Sequence, residues 1–324
     1  RWVVIIYIAG VVLVGVAGIT GLMFSKNITT PDMIVSWMHG TADAVAARDL
    51  PVRLPRVLAA LLAGAALGAA GTVTQAVARN PLAEPGLLGV TAGAGLASIT
   101  IITVAPQTGV ALLAGYASIG ALATFALVAA LAYRRGLDSG RFVLIGIGIS
   151  AALSAVTSAL IVLTDPLNRA KALTWLGGST YGRDLHHTIP VAMALLVLIP
   201  PLILYRRRLD VLALDDDTPR LLGVSLASNR AIFLAIAAVL TASAVTAVGV
   251  ISFVGLIAPH SARALVGAAH GRTLPLSMLI GALLVSIGDT LGRTIILPNE
   301  LPAGTVAVLI GAPYFIYLLW RARD

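Results

Sequence analysis

Cysteine is absent from the 324 residues of this chain, so it forms no disulfide, no thiolate metal site and no cysteine nucleophile. Charged side chains are scarce, at 11% of residues, whereas 58% of residues are hydrophobic. The mean hydropathy is +0.97. A soluble protein of this length needs far more polar surface to cover its core. A bilayer removes that requirement, so the composition predicts an all-α, polytopic membrane protein.

Lysine is also nearly missing, and this excludes a common ATP site. The only lysines, Lys26 and Lys171, do not lie in the Gly-Lys-Ser/Thr sequence of a phosphate-binding loop. No His-Glu-x-x-His motif is present, which argues against a zinc protease. The Gly-x-Gly-Asp motif of intramembrane aspartyl proteases fails because Ser286 stands before Gly288-Asp289. An intramembrane hydrolase is therefore the weakest alternative.

Long apolar runs separated by glycine, proline and charged breakers predict about ten membrane spans of roughly 20 residues each. The third run is short and rich in glycine and alanine, and we expect it to be broken or tilted. No polar block is long enough to fold separately, so residues 1–324 are predicted to form one membrane domain. The predicted spans are 2–24, 56–78, 86–104, 109–133, 142–164, 188–205, 230–248, 250–268, 274–292 and 303–320.

Several of these spans carry small residues at helical spacing. Gly64, Gly68 and Gly71 fall in span two, and Gly146 and Ser150 fall in span five. Hydrophobicity cannot drive helices together in lipid, so small faces indicate where helices approach closely. We therefore expect these residues to lie at contacts between helices.

Basic residues predict the orientation, because short cytoplasmic loops collect lysine and arginine. The majority obeys this rule if both termini are cytoplasmic, and the net charge of +8 then needs no nucleic acid to explain it. Segments 26–55 and 165–187 lie outside in this arrangement, and 205–229 lies inside. The basic residues that this arrangement leaves outside include Arg53, Arg56, Arg169, Lys171, Arg183 and Arg293.

Two local signals predict where helices begin near the first outside segment. Thr30 before Pro31 is typical of a capped helix start, so a short helix is expected there. Pro55 can open a helix without losing a needed hydrogen bond, and it predicts the start of span two.

Four sequence blocks follow one another in the chain and combine arginine, proline and glycine at span ends. Each block alone is a weak signal, whereas the four in this order are highly specific. The blocks are Arg53–Arg56; Gln75 with Arg79–Gly89; Gly249–His260 with Arg263; and Asp289, Arg293 and Glu300–Pro302 through to Gly311–Pro313.

In content and order, these blocks resemble the FecCD family, the permeases that import iron-siderophore chelates, haem and vitamin B12. The resemblance runs from about residue 50 to the C-terminus. The stretch Trp175–Asp184 looks more like the iron-chelate members, which favours an iron-siderophore cargo over haem or vitamin B12. The chain departs from the family pattern at Gly271, where arginine is common, and in the loop 214–219.

The resemblance implies a multi-pass subunit of the bacterial cytoplasmic (inner) membrane that works by alternating access. The implied partners are a second permease subunit, identical or paralogous, an extracytoplasmic binding protein and a cytoplasmic ABC ATPase dimer. The ATPase would bind ATP and Mg²⁺, so no cofactor is expected on this chain. An ion-coupled secondary transporter is the alternative mechanism, but such carriers need ionisable residues in mid-span, where Asp289 is nearly alone.

The resemblance also gives roles to two groups of residues. Arg53, Arg56 and Arg293 are expected to dock glutamates of the binding protein, because guanidinium groups pair well with carboxylates. The alternative is that they only snorkel to the membrane interface. The segment 205–229 is expected to contact the ATPase, with a solvated charged loop as the alternative. Its coupling residues are Asp215, Asp216, Asp217, Arg220, Leu221, Leu222 and Gly223.

The remaining motif residues are expected to line the pathway or to maintain structure. Asp289 stands four residues before Arg293, so an internal ion pair is its preferred explanation. His260 has no second ligand at suitable spacing, so no metal site is expected. This group comprises Gln75, Arg79, Asn80, Pro81, Pro85, Pro259, His260, Asp289, Glu300 and Pro302.

Overall fold

The computed structural model describes residues 2–25, 27–133, 139–214, 225–296 and 299–321, and within these ranges the chain is helical with no strand. The predicted all-α fold is therefore confirmed. The helices are α1 Trp2–Met23, α2 Pro31–Met38, α3 Ala44–Ala78, a 3₁₀ turn Pro85–Leu88, α4 Val90–Val104, α5 Val110–Ala132, α6 Ser139–Leu163, α7 Pro166–Leu176, α8 Leu185–Leu204, α9 Arg206–Leu212, α10 Leu226–Val248, α11 Val254–Val266, α12 His270–Gly292 and α13 Ala303–Arg321.

Each predicted span overlaps one of these α-helices. Within the described ranges, seven helices are long and apolar enough to cross a membrane, namely α1, α3, α5, α6, α8, α10 and α12. The other three, α4, α11 and α13, have 15, 13 and 19 residues. The third span is short because α4 begins only after Gly89, whose φ of 80° ends the preceding 3₁₀ turn. The expected break in this span is confirmed.

Helix α3 forms the centre of the bundle. Every residue from Leu67 to Val77 is buried, and α10 and α12 pack along it. A Cβ atom on Gly64 would lie only 2.2 Å from the carbonyl oxygen of Gly281, and one on Gly68 only 2.3 Å from that of Ser277. The predicted small face of span two is therefore confirmed as a backbone-to-backbone contact.

The start of α3 differs from the prediction at Pro55. The helix begins eleven residues earlier, at Ala44, where Asp43 accepts a hydrogen bond of 2.8 Å from the Ala46 amide. Pro51 and Pro55 lie inside the helix. A proline removes only its own amide bond, and neighbouring packing can maintain the helix around it. By contrast, the short helix expected after Thr30 is confirmed as α2, and Thr30 caps it.

Two non-helical breaks meet beside α3. The first follows Arg79, whose φ is 50°, and the second lies between α10 and α11 at Phe253, whose φ is 71°. The Glu84 carboxylate accepts the Phe253 amide at 2.7 Å and so joins the two breaks. A Cβ atom on Gly71 would lie 1.9 Å from the Gly255 carbonyl oxygen, so α3 and the start of α11 are in backbone contact beside these breaks.

Candidate functional site

Asp289 is the centre of a buried ion cluster at the end of the bundle where α3 begins. Its side chain is 1% exposed. The Arg56 Nε donates to Asp289 Oδ1 at 2.9 Å, and the Thr180 hydroxyl donates to the same oxygen. The Arg293 Nε lies 3.5 Å from Asp289 Oδ2, which confirms the expected internal ion pair. Three segments far apart in sequence therefore depend on one carboxylate.

Two further contacts extend this cluster. The Arg56 Nη1 pairs with Glu300 Oε2 at 2.8 Å, so Arg56 joins two carboxylates. The Arg293 Nη2 donates to the carbonyl oxygen of Gly21 at the end of α1. Burying charges without partners is strongly unfavourable, and here each charge has a partner of opposite sign. The cluster ties together α1, α3, α12 and the segment before α13.

Arg53 has a different set of partners, although it stands only three residues from Arg56. It pairs with Asp49 at 3.1 Å, one helical turn away. Its two terminal nitrogens also donate to the Thr29 hydroxyl at 2.8 Å and to carbonyl oxygens of the α1–α2 connection. Those carbonyl oxygens belong to Leu22, Met23 and Asn27. Arg53 therefore fixes the α1–α2 connection onto α3.

The three arginines border one cavity of about 510 Å³, which we call the arginine cavity. The structure thus brings the predicted docking residues together, yet it gives each of them internal partners. Their side chains are 7% exposed for Arg53, 12% for Arg56 and 1% for Arg293. The lining residues are Ser25, Asn27, Arg48, Asp49, Val52, Arg53, Arg56, Tyr181, Gly182, Arg183, Arg293 and Glu300. Five arginines against two acids make this cavity electropositive.

Sequence reasoning missed several members of this site. Arg48 lines the cavity with a side chain that is 71% exposed, and it pairs with Asp49. Asp49 had a usable signal, because it stands four residues before Arg53 and so shares a helical face with it. Thr180 had none, since 109 residues separate it from Asp289. Glu84, which joins the two helix breaks and does not line this cavity, lay within a motif but was not singled out.

Gln75, by contrast, lies in the interior of the bundle. It is 3% exposed, donates to the Leu256 carbonyl oxygen at 3.3 Å and accepts from Arg263. These bonds join α3 to α11. Asn80 follows the end of α3, and its side chain accepts the Leu82 amide at 2.9 Å, which is an Asx turn.

The prolines of the motifs lie at helix starts and packing contacts. Pro85 begins the 3₁₀ turn, and Pro259 is buried inside α11. Pro302 packs against Gly177, where an added Cβ atom would lie 3.0 Å from the proline ring. Close by, the Gly304 amide donates to the Gly178 carbonyl oxygen at 3.0 Å. The turn after α7 and the start of α13 are therefore held together.

The opposite end of the bundle holds the described part of segment 205–229. Asp210 on α9 accepts both the backbone amide and the ring nitrogen of His270, at 2.8 and 2.7 Å. A Cβ atom on Gly271 would lie 2.6 Å from the Arg206 side chain. The absence of a side chain at Gly271 thus lets Arg206 lie across the start of α12. The predicted coupling residues between 215 and 223 lie outside the described residues.

No group of three or more metal-ligating side chains occurs within the described ranges. His260 is half-buried on α11 beside Pro259. His187, near the other end, shares a capping box with Asp184 at the start of α8. Neither histidine has the ligand set of a metal site among the residues that the structure describes.

Comparisons with known proteins identify the fold and its relatives. The model of the FecCD transport family matches residues 11–321. The iron-uptake system permease protein FeuC of Bacillus subtilis (strain 168) is 39% identical over 84% of this chain and 83% of its own length. The Fe(3+) dicitrate transport system permease protein FecD of Escherichia coli (strain K12) is 42% identical over 84% of each chain. The Fe(3+)-citrate import system permease protein YfmE of Bacillus subtilis (strain 168) is 37% identical over 97% of this chain and 94% of its own length.

Solved structures agree with this relationship. An inward-facing conformation of an ABC transporter assigned to the metal-chelate type has a TM-score of 0.87 and 29% identity, covering 98% of this chain and 99% of that chain. PsaBC from Streptococcus pneumoniae has a TM-score of 0.59 at 17% identity, covering 88% of this chain and 95% of that chain, and so shares the fold alone.

Proposed function

Because this chain belongs to the FecCD transport family, we propose that it is the membrane-spanning permease subunit of an ATP-binding-cassette importer for an iron-siderophore-type chelate. The observation that carries this proposal is the match along residues 11–321 to a transport family. Relatives named for iron uptake, Fe(3+) dicitrate transport and Fe(3+)-citrate import support the cargo class. Haem and vitamin B12 remain the competing cargoes.

The energy for transport comes from a separate chain in this proposal. The sequence offers no phosphate-binding loop, since both lysines lie outside such a motif. A cytoplasmic ATPase dimer would bind ATP and Mg²⁺ and would contact segment 205–229 at the α9 end of the bundle. The hydrogen bonds between Asp210 and His270 support this idea, because they couple α9 directly to α12.

A second permease subunit completes the pathway in this proposal. Helices α1 and α6 support it, because their most apolar stretches are only 6% and 11% buried within the chain. Faces of this kind suit either lipid or a neighbouring subunit. Two subunits that enclose one pathway would account for alternating access without a tight cargo site on either.

The arginine cavity is the proposed docking site for an extracytoplasmic binding protein. Its excess of guanidinium groups suits glutamate or aspartate side chains. Arg56 and the exposed Arg48 are the side chains most able to reach a partner. Arg53 and Arg293 would act mainly by fixing the cavity wall, because their guanidinium groups also donate to backbone carbonyl oxygens of the α1 end. The bonds of Arg56 go to the side-chain carboxylates of Asp289 and Glu300.

Transport assays test the cargo class. The chain, its ATPase and its binding protein would be reconstituted in liposomes and supplied with ferric citrate, a ferric hydroxamate, haem or vitamin B12. We expect ATP-dependent uptake of at least one ferric chelate in preference to the other two cargoes. Vitamin B12 uptake without ferric-chelate uptake would contradict the proposal.

Thiol labelling tests the orientation, and the cysteine-free chain is well suited to it. Arg48→Cys at the cavity and Arg207→Cys on α9 both replace exposed residues. An impermeant thiol reagent added from outside should label the first and not the second. The reverse pattern would place the arginine cavity in the cytoplasm and exclude the docking proposal.

Docking is tested by removing charge from the two arginines most able to reach a partner. Because Arg56→Gln also removes an ion-pair partner of the buried Asp289, folding is measured alongside affinity. Arg48→Gln with Arg56→Gln should weaken affinity for the binding protein at least about tenfold at low salt. Breaking a buried charge pair at an interface typically costs about 2–5 kcal/mol, and breaking an exposed rim pair costs less. Arg169→Gln, an outside arginine that does not line the cavity, is the control. Thermal melting would establish that each variant is folded. Unchanged affinity of a folded double variant at low salt would exclude docking by these arginines.

A further inference from the structure

A second cavity, of about 260 Å³, lies beside the arginine cavity between the start of α5, helix α7 and the turn after it. We call it the Trp175 cavity. Roughly eight waters, at about 30 Å³ each, would fill this volume. Its lining residues are Val110, Leu113, Lys171, Thr174, Trp175, Ser179, Tyr181 and Arg183. None of them is acidic, in contrast to the arginine cavity with its aspartate and glutamate.

Two buried hydrogen-bond donors in this lining have no acceptor. The indole Nε1 of Trp175 and the Nη1 of Arg183 are both inaccessible and lack a partner among the described residues. Trp175 is 5% exposed and Arg183 is 6% exposed. Leaving such donors unsatisfied is costly, at about 1–3 kcal/mol each, and more for a charged group. Buried donors in native proteins normally have a partner, so these two indicate a missing acceptor.

The two donors are held in fixed positions. The Arg183 guanidinium stacks over the Trp175 ring, with 4.7 Å between its central carbon and the ring centroid. The Arg183 Nε donates to the Ser179 carbonyl oxygen at 3.3 Å. These contacts orient the guanidinium and leave its Nη1 free. The site is thus preorganised, which reduces the entropy lost when a ligand binds.

The charge of the cavity is positive. Burial lowers the pKa of Arg183 to about 10, although the nearby Asp184 opposes that shift. Arg183 therefore stays charged at neutral pH. Lys171 donates to the carbonyl oxygens of Pro106 and Thr108, each at 3.2 Å, and an ammonium group has a third hydrogen to offer. Asp184 is engaged by His187 and does not line the cavity.

We propose that the Trp175 cavity binds a small oxyanion of the carboxylate type, whose oxygens accept from Trp175 Nε1 and Arg183 Nη1. Lys171 adds charge at the rim. The carboxylate could belong to a free anion or to an arm of a ferric chelate, and only the second source rests on the proposed transport function. Anion binding itself requires neither a partner chain nor transport.

Equilibrium dialysis of the purified chain against radiolabelled citrate tests the site directly. We expect saturable binding that chloride at equal ionic strength does not compete away. Trp175→Phe keeps a ring beneath the guanidinium and removes only the N–H donor, so it should weaken citrate binding at least about tenfold. Arg183→Gln should weaken it further. Arg169→Gln, which lies outside the cavity, should bind citrate as the unmodified chain does.

Further arms distinguish the sources of the carboxylate. Binding of free citrate assigns the site to a free anion, whereas binding of ferric citrate alone assigns it to the chelate. Binding of phosphate in place of citrate would overturn the assignment of the ligand as a carboxylate. The proposal is overturned if citrate, phosphate and ferric citrate all fail to bind. It is equally overturned if Trp175→Phe, folded by thermal melting, binds as tightly as the unmodified chain, because the two donors would then belong to water.

Discussion

Glycines on α3 and on the peripheral helices look alike in the sequence and differ in the structure. On α3, an added Cβ atom at Gly64, Gly68 or Gly71 would lie within 2.3 Å of a backbone oxygen. At Gly115 on α5 and Gly148 on α6, an added Cβ atom would meet nothing within 4 Å. Glycine is therefore required along the line where α3 meets its neighbours, which we call the α3 seam. Gly115 and Gly148 are replaceable within this chain, whereas Gly120 on α5 and Gly146 on α6 lie against backbone oxygens, with an added Cβ atom at 2.4 and 1.9 Å.

The burial of charged side chains also differs between the α3 seam and α9. The seam ends in the cluster around Asp289, where a carboxylate that is 1% exposed has two arginine neighbours. Outside the cluster, Arg207 on α9 is exposed, whereas Arg183 is buried against Trp175. In lipid, packing and polar contacts rather than hydrophobicity hold helices together. The comparison teaches that the α3 seam combines both kinds of contact.

The largest effect is expected for Asp289→Ala. This change leaves Arg56 and Arg293 buried without their shared carboxylate, and breaking a buried pair in this way costs about 3–5 kcal/mol. We expect a strongly lowered melting temperature in detergent. Asp32→Ala on the exposed surface of α2 is the control and should change little. Equal stability of the two variants would show that the ion cluster contributes nothing to the seam.

Gly71→Ala should have the second-largest effect on stability. Its methyl group would lie 1.9 Å from the Gly255 carbonyl oxygen, so the α3–α11 contact must open. Overpacking of this kind costs about 1–3 kcal/mol, and a backbone atom can give way less than a side chain. Gel filtration after extraction should reveal aggregated or unstable protein. A monodisperse variant with an unchanged melting temperature would contradict the tight contact.

Variants at Glu84 test the hydrogen bond that joins the two helix breaks, after Arg79 and at Phe253. Melting temperatures measured over a series of pH values sharpen the result. Burial raises the pKa of Glu84 above its ordinary value, against the opposing effect of the Phe253 amide. The protonated Glu84 carboxyl therefore contributes to the free energy of unfolding below about pH 4.5. That contribution is lost as the pH rises and the carboxyl ionises. Glu84→Gln keeps an acceptor oxygen, so its melting temperature should depend less on pH than that of the unmodified chain.

Glu84→Ala is the matched comparison for that series. It leaves the Phe253 amide without its acceptor and should destabilise the chain by about 1–3 kcal/mol. A pH dependence identical in Glu84→Gln and the unmodified chain would show that Glu84 does not titrate in this range.

The smallest effect is expected for Gly148→Ala on α6. Nothing lies within 4 Å of the added methyl group, and alanine favours a helix over glycine by up to about 1 kcal/mol. The melting temperature should stay the same or rise slightly. A loss as large as that of Gly71→Ala would remove the distinction between the seam and the peripheral faces.

The sequence predicted the features that depend on residues close together in the chain. The i,i+4 spacing of Asp289 and Arg293 predicted their ion pair, and Thr30 predicted the start of α2. It could not predict that Arg56 pairs with Asp289, because 233 residues separate them. The early start of α3 was missed because Pro55 looks like a helix start when its tertiary contacts are unknown. Contacts between distant segments depend on the packed fold and carry no local signal.

The reciprocal contact of Gly64 and Gly281 has a mechanical consequence. Each added Cβ atom would lie 2.2 Å from the other residue's carbonyl oxygen, so no side chain separates the two backbones there. Side chains that could change rotamer usually absorb sliding between helices, and this contact has none. We therefore expect α3 and α12 to move as one rigid body during a transport cycle. The chain would then bend at the irregular backbone around Gly89 and Phe253, and these two positions would be the hinges on either side of the rigid α3–α12 pair.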